Sequence, residues 1–132
     1  MNIHPELPRI RQTISDIGAF LGERLTTSQA VRDQHGKDQT WAAGASPDAV
    51  AFVHSTEEVA RIVSICARDR VPLIAHGAGT SLEGHITAPY GGVSLNMTGL
   101  NRILEVNAED LDCRVEAGVT RKTLNAHLRD QG

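Results

Sequence analysis

The residues whose types and spacing could do chemistry lie in one glycine-rich stretch, Val71 to His85, which reads VPLIAHGAGTSLEGH. Its apolar first part, Val71 to Ala75, is typical of a buried strand, and Pro72 is tolerated near the start of such a strand. Residues 76–81 then supply consecutive backbone N–H groups with small side chains. Such a run can form a concave nest that binds an anion, most often a phosphate.

Two glycines and two hydroxyls strengthen this interpretation. Gly77 and Gly79 allow positive φ and close backbone approach, and Thr80 and Ser81 can donate hydrogen bonds without adding bulk. The glycines alone leave open a turn that connects two strands and binds nothing. The Thr-Ser pair favours a phosphate site.

Two common nucleotide motifs do not fit the stretch. A Walker loop ends in Gly-Lys-Ser/Thr, but the chain has no lysine between Lys37 and Lys122. A Rossmann fingerprint needs a glycine three residues after Gly79, where Leu82 stands, and no strand with a terminal acidic ribose ligand follows at the expected distance.

The histidines and carboxylates offer little other chemistry. His76 and His85 flank the loop, where either could contact a ligand, although a hydrogen bond that stabilises the loop is the favoured role of His85. Glu83 would repel a phosphate, so we expect it to point away and to bond the loop backbone. No Ser-His-Asp order or carboxylate pair supports hydrolysis. The six histidines are His4, His35, His54, His76, His85 and His127. They show neither H-x-x-x-H nor H-x-H spacing, so the sequence predicts no metal site.

Length and composition bound the remaining possibilities. The 132 residues suffice for one modest domain, and 13 basic against 16 acidic residues give a net charge of −3, with no basic field for nucleic acid. Cys66 and Cys113 lie in apolar or strand-like contexts, which favours buried free thiols over a disulfide or a metal pair. The absence of a signal or transit peptide and of an apolar run of about 18 residues predicts a soluble cytoplasmic protein and leaves peripheral membrane attachment open.

The elements that must position the loop begin with an N-terminal segment. Its apolar residues recur at helical spacing, which predicts an amphipathic helix from near Pro8 to Leu25 that packs on its own domain rather than on a membrane. Residues 26–46 lack a period and are predicted as a long loop. Trp41, the only tryptophan, either stacks on a ligand or anchors that loop, and the anchor is the commoner role.

A strand–helix–strand unit then leads into the loop. Ala49 to Val53 is a continuous apolar run, and Ser55 or Thr56 can cap a helix whose apolar stripe includes Val59, Ile62, Val63, Cys66 and Ala67. We expect this first strand and Val71 to Ala75 to lie parallel in one sheet. Ligands of such sheets bind beyond the carboxyl ends of the strands, where residues 76–84 emerge.

The rest of the chain predicts three strands and a helix. Val93 to Met97 alternates as a strand, and Ile103 to Val106 can form a hairpin with Cys113 to Ala117. Gly118 ends the last strand. Thr120 can cap a closing helix with Leu124 and Leu128 on its apolar face.

Taken together, these segments resemble a known family. The loop His76 to His85, with AVAFV and STEEV before it and RILEV and VEAGV after it, is similar to the FAD-binding domain of the vanillyl-alcohol oxidase and p-cresol methylhydroxylase (PCMH) superfamily. More narrowly, the segments resemble the D-lactate dehydrogenase and glycolate oxidase FAD-subunit branch, over residues 47–132. The resemblance implies an α/β (α+β) fold: the first lobe of a PCMH-type domain, with a small parallel or mixed sheet, flanking helices and the N-terminal amphipathic helix.

The resemblance also implies a cofactor and its ligands. Backbone amides of the loop would bind the FAD diphosphate, and Thr80 stands where covalent relatives have a flavin-linked histidine, which implies non-covalent flavin. No residue is assigned as catalytic. The implied cofactor-binding residues are His76, Gly77, Ala78, Gly79, Thr80, Ser81, Gly84 and Gly118.

The resemblance finally implies a reaction and a division of the chain. The whole enzyme would oxidise a small 2-hydroxy acid such as D-lactate or glycolate, pass a hydride to FAD and hand electrons to an acceptor partner. Residues 1–46 would form the N-terminal helix and connecting loop, and residues 47–132 a partial FAD-binding domain in an N-terminal fragment that is inactive alone. The alternative is a truncated, non-enzymatic remnant that binds nucleotide or acts through protein contacts.

Overall fold

A four-stranded sheet forms the centre of the computed structural model, which describes residues 6–41 and 43–129. Four helices, a two-stranded hairpin and a single 3₁₀ turn (Gly22–Arg24) complete the described chain. In chain order, the helices and strands are α1 (Leu7–Leu21), β1 (Leu25–Thr26), α2 (Gln29–His35), β2 (Ala49–Phe52), α3 (Thr56–Asp69), β3 (Leu73–His76), β4 (Val93–Asn96), β5 (Ile103–Asn107), β6 (Asp112–Val115) and α4 (Arg121–Leu128).

The sheet has the order β1-β2-β4-β3. β4 pairs in parallel with both β2 and β3, and β1 pairs antiparallel with β2. The prediction that β2 and β3 lie parallel in one sheet is therefore confirmed, although β4 lies between them. Phe52 and His76 both align with Asn96, so the three parallel strands end level with one another.

The two faces of this sheet are covered by different elements. Side chains alternate between the faces of a strand, and Ala51, Val53, Val93 and Leu95 form one core with buried residues of α1 and α3. Phe52, His76 and Asn96 lie on the other face, where each contacts His35 at the end of α2. The sheet is thus buried between a helix pair and a shorter helical segment.

Helix α1 packs on its own domain, as predicted. Ile10, Ile17 and Leu21 are buried against the core, and the Thr13 hydroxyl donates to the Asp69 carboxylate at the end of α3. The helix ends at Leu21, before the predicted end, because Gly22 adopts a positive φ of 58°.

Residues 26–46 are not wholly a loop, and that prediction is corrected. They contain the second residue of β1 and the whole of α2. Trp41 does not anchor the segment either, because 99% of it is exposed. Helix α2 has only seven residues, which is too short for an apolar period to be recognised in the sequence.

Several local predictions are confirmed. Ser55 caps α3 by accepting from the Glu58 N–H, and Thr120 caps α4 by accepting from the Thr123 N–H. β5 and β6 form the expected antiparallel hairpin, which is a separate sheet. Cys66 is a buried free thiol, and this burial raises its pKa to about 11, whereas Cys113 is free and half-buried.

Among the described helices, none combines the length and apolarity that a membrane crossing requires.

Candidate functional site

The glycine-rich loop leaves the sheet at the carboxyl end of β3, as the sequence predicts. The Met97 N–H donates to the His76 carbonyl at 3.0 Å, so the chain after β4 lies beside the start of the loop. The loop borders an open, shallow cavity of about 200 Å³. The residues that line it are Ala75, Gly77, Ala78, Gly79, Thr80, Ser81, His85 and Ile86. Residues 77–81 of this set are five of the eight predicted cofactor-binding residues.

Backbone donors are available at this cavity. Within residues 6–41 and 43–129, no group accepts a hydrogen bond from the backbone N–H of any residue from Gly77 to Ser81. Consecutive free N–H groups around a concavity bind anions because their dipoles add. The residues present therefore fit a phosphate or diphosphate group.

The loop glycines have different physical roles. Gly79 has a φ of 68°, and a Cβ added there would lie 3.2 Å from His76 Nε2, so the fold itself requires glycine. Gly84 has a φ of 72° and forms a second left-handed turn. Gly77 has no positive φ, and a Cβ there would meet nothing within 4 Å. Packing therefore does not require glycine at position 77, and the space beside it is open to a ligand.

Side-chain hydrogen bonds hold the second half of the loop. Ser81 Oγ and His85 Nδ1 are 3.3 Å apart, which confirms the predicted loop-stabilising role of His85. The Thr87 hydroxyl and N–H both donate to the Gly84 carbonyl. Glu83 is exposed and outside the cavity lining, as expected, but no described loop backbone group bonds its carboxylate.

His76 lies beneath the loop rather than in the cavity. Its ring is on the sheet face opposite to Ala75, and its Nδ1–H donates to the Gly77 carbonyl at 3.0 Å. The His35 ring lies against it, with 4.3 Å between the ring centroids. Burial, and secondarily the neighbouring His35, lower the pKa of His76. A neutral imidazole thus supports the Gly79 turn from below.

His35 also lies at this site, although no sequence pattern indicated it. Its Nδ1–H donates to the Val31 carbonyl at 2.8 Å, and its Nε2 accepts from Asn96 Nδ2 at 2.9 Å. Asn96 Oδ1 in turn accepts from the N–H and the hydroxyl of Thr98. A chain of hydrogen bonds thus links the end of α2 through His35 and Asn96 to the turn after β4.

Asp38 is a second buried polar residue that sequence reasoning missed. It is 8% exposed, and its Oδ1 accepts from the N–H of Thr40 at 3.0 Å and from the Thr40 hydroxyl. These bonds, with a further contribution from the Gly84 backbone N–H, lower the pKa of the Asp38 carboxyl. Its Oδ2 is buried with no hydrogen-bond partner in the described chain.

Gly118 reaches the same edge of the sheet through a close backbone contact. A Cβ at Gly118 would lie 2.1 Å from the Met97 carbonyl oxygen, and its N–H donates to the Leu100 carbonyl at 2.7 Å. Only glycine permits this approach.

No group of His, Cys, Asp and Glu residues in the described chain could hold a metal ion, and His4 lies outside the described residues.

A largely parallel sheet with a glycine-rich loop at its carboxyl edge is typical of domains that bind a phosphate-containing cofactor. Residues 47–132 match the family described as "FAD binding domain". The chain belongs to this family, and FAD is its cofactor.

Two relatives illustrate the likeness. A probable mitochondrial D-lactate dehydrogenase of Danio rerio is 40% identical over 124 residues, which cover 93% of this chain and 25% of that protein. Glycolate oxidase subunit GlcD of Bacillus subtilis is 37% identical over 97 residues, 74% of this chain and 21% of the relative. The chain therefore spans about a quarter of the length of these relatives. They confirm the predicted family branch.

Solved structures confirm the fold class. A 4-ethylphenol oxidase from Gulosibacter chungangensis superimposes with a TM-score of 0.84 at 29% identity, covering 98% of this chain and 26% of that chain. A p-cresol methylhydroxylase gives a TM-score of 0.81 at 18% identity over 96% of this chain and 26% of that one, which shows the shared fold. The prediction of an α/β, PCMH-type FAD-binding domain is confirmed.

Proposed function

We propose that this chain binds the diphosphate of FAD in the 76–84 loop of a flavoprotein that oxidises a 2-hydroxy acid of the D-lactate or glycolate type. The observation that carries the proposal is the cavity lined by Gly77 to Ser81, whose backbone N–H groups lack partners in the described chain. The likeness to a D-lactate dehydrogenase and to a glycolate oxidase subunit supports the substrate class.

The residues of the site divide this task. The backbone N–H groups of residues 77–81 donate to the diphosphate, with Thr80 and Ser81 adding hydroxyls. Gly77 leaves room for the ligand, whereas Gly79, Gly84 and Gly118 allow the turns and contacts that shape the edge. His76 supports the loop from below. When bound, FAD supplies the hydride-accepting chemistry.

The flavin is held without a covalent bond in this proposal, because Thr80 stands where covalently linked relatives have histidine. Acid precipitation of the full-length protein should release all yellow colour into the supernatant. Colour that stays in the washed pellet would contradict the proposal.

The isolated residues 1–132 should bind FAD weakly and show no dehydrogenase activity, since no described residue is assigned as a catalytic base. Electrons would pass to a partner acceptor in the full-length protein. We propose a cytoplasmic location with peripheral contact to a membrane as one route to that acceptor. Dye reduction by the isolated chain with D-lactate or glycolate and added FAD tests the point, and turnover would contradict it.

The sharpest test of the loop is Gly77→Val. A Cβ at this position meets nothing within 4 Å, so the melting temperature of the FAD-free protein should stay unchanged, whereas FAD affinity should fall by about tenfold or more because the added side chain fills the space for the ligand. Flavin fluorescence quenching on the full-length protein measures the affinity.

Two further variants make the result specific. Gly18→Ala adds a methyl at an ordinary 3.4 Å contact with Leu25 and should leave FAD affinity unchanged. Gly79→Val should lose both stability and FAD, because Gly79 has a positive φ and lies against His76. Unchanged affinity in Gly77→Val would refute the assignment of the loop.

A further inference from the structure

The two left-handed glycines of the loop, Gly79 and Gly84, share an unexpected feature. Gly79 lies next to His76, which packs against His35. Gly84 lies next to Asp38. His35 and Asp38 both belong to the short segment 35–40. This segment lies before residues 47–132, where the family match begins.

The first contact runs from His35 to Gly79 through a ring stack. His35 is fixed by the Val31 carbonyl and by Asn96, and its ring lies 4.3 Å from that of His76. His76 Nε2 would lie 3.2 Å from a Cβ on Gly79, so Gly79 lies beside the imidazole with little room for a side chain between them. If His35 is removed, the His76 ring loses the surface that fixes its position.

The second contact joins Asp38 to Gly84. The Gly84 carbonyl accepts from Thr87 at 2.7 Å, and its N–H faces the Asp38 carboxylate. A bond from the Ala88 N–H to the Ala45 carbonyl, at 2.8 Å, joins the chain a few residues after each of these two segments. The carbonyl and the N–H of Gly84 thus both face polar groups of the surrounding chain.

We propose that His35 and Asp38 are positioning residues that fix the Gly79 and Gly84 turns and so aim the loop N–H groups at the FAD diphosphate. This inference rests on the proposed function of the loop. Neither residue touches the cofactor in this arrangement. Each acts on it through one glycine of the loop.

The negative charge of Asp38 fits this role. A free carboxylate near the diphosphate would weaken FAD binding, but the Asp38 carboxylate is buried, accepts from two groups of Thr40, and is further stabilised as an anion by the nearby Gly84 N–H. A carboxylate held by several donors orients those donors strongly. If repulsion dominated instead, removal of the carboxylate would tighten FAD binding.

The test compares FAD affinity with thermal stability in the full-length protein. His35→Leu and Asp38→Ala should each weaken FAD binding about tenfold, the effect of losing one well-formed hydrogen bond. Thr13→Val is the matched control, since it removes the buried hydroxyl that donates to Asp69 on the opposite sheet face. It should lower the melting temperature with FAD affinity unchanged.

Milder variants keep the test usable if the first ones fold poorly. His35→Phe retains a ring against His76 and should recover part of the affinity that His35→Leu loses. Thr40→Val removes only the hydroxyl bonded to Asp38 and should weaken FAD binding by a few-fold. If His35 had only a structural role, the FAD affinity of each His35 variant would follow its melting temperature, and His35→Phe would recover no more affinity than its melting temperature accounts for.

The outcomes separate the two proposals. If Gly77→Val weakens FAD binding while the His35 and Asp38 variants lose no more affinity than Thr13→Val, the positioning role is overturned and the loop assignment stands. Tighter binding in Asp38→Ala would also overturn it. If Gly77→Val leaves FAD binding unchanged, the proposed function fails first.

Discussion

The four-stranded sheet and the region formed by the β5–β6 hairpin and α4 are buried to very different extents. All four residues of β4 are buried, whereas every residue of β5, β6 and α4 is half-buried or exposed. Helices cover both faces of the sheet, and the described chain offers the hairpin no equivalent cover.

The difference shows what holds each region. The sheet is stabilised by a shared apolar core. The hairpin depends on its own ladder, on the Gly118 to Leu100 backbone bond and on the ion pair of Arg102 with Glu116 at 2.6 Å. Leu104 and Leu111 are 51% and 92% exposed, so this region presents apolar surface to solvent.

The largest expected effect is on stability. Ile62→Ala in the buried core should lower the free energy of unfolding by about 3 kcal/mol, because Ile62 is fully buried. Leu104→Ala in the hairpin should change it by less than about 0.5 kcal/mol. Urea unfolding followed by circular dichroism gives both values. Equal losses would remove the distinction between the two regions.

A smaller effect concerns association. Residues 1–132 alone should oligomerise through the exposed apolar side of the hairpin, since exposed apolar patches promote contact between copies. Replacing both Leu104 and Leu111 by lysine should shift the chain toward monomer in size-exclusion chromatography. Replacing Leu82, which is also exposed but lies in the loop, is the control and should leave the profile as it is.

The smallest effect tests the sheet region through pH. Arg24 donates to both Glu58 oxygens and lowers the pKa of Glu58 from 4.5 to about 2. Because the folded-state pKa is depressed, this stabilisation is present above pH 4.5 and is lost as the pH falls toward 2. Glu58→Gln should cost about 1 kcal/mol at pH 7.

The same variant supplies its own control at low pH. The stability difference between wild type and Glu58→Gln should shrink as the pH falls below 4.5 and Glu58 becomes protonated. A difference that stays constant down to pH 2 would show that the ion pair contributes nothing.

The sequence predicted the sheet region well because its signals are local. Ser55 precedes an apolar stripe, and the runs before and after α3 are short and bounded by turns, so α3 and the strands β2, β3 and β4 could be assigned from the sequence, whereas the two-residue β1 could not. The order of the strands could not be read, since β4 lies between β2 and β3 through contacts between residues far apart in the chain.

The candidate site was predicted only in part for the same reason. The loop glycines and hydroxyls are contiguous, and their pattern was sufficient. His35, Asp38 and Asn96 meet the loop only in the folded chain, and nothing in their spacing distinguishes them from surface polar residues. Trp41 shows the converse error, because a residue type usual in cores is here almost fully exposed.

The junction at Gly92 brings together the starts of the three parallel strands. A Cβ there would lie 2.2 Å from the Pro72 carbonyl oxygen, which itself accepts from the Val93 N–H, while the Gly92 N–H donates to Asp48 Oδ2 at 2.6 Å. The alignment of β2, β3 and β4 is therefore set at the edge opposite to the loop.

None of these contacts at Gly92 involves residues 77–85. We therefore expect insertions, deletions or a transplanted loop within residues 77–85 to alter the cofactor edge without shifting the sheet. The same arrangement lets a common scaffold acquire new binding preferences by exchanging one short segment.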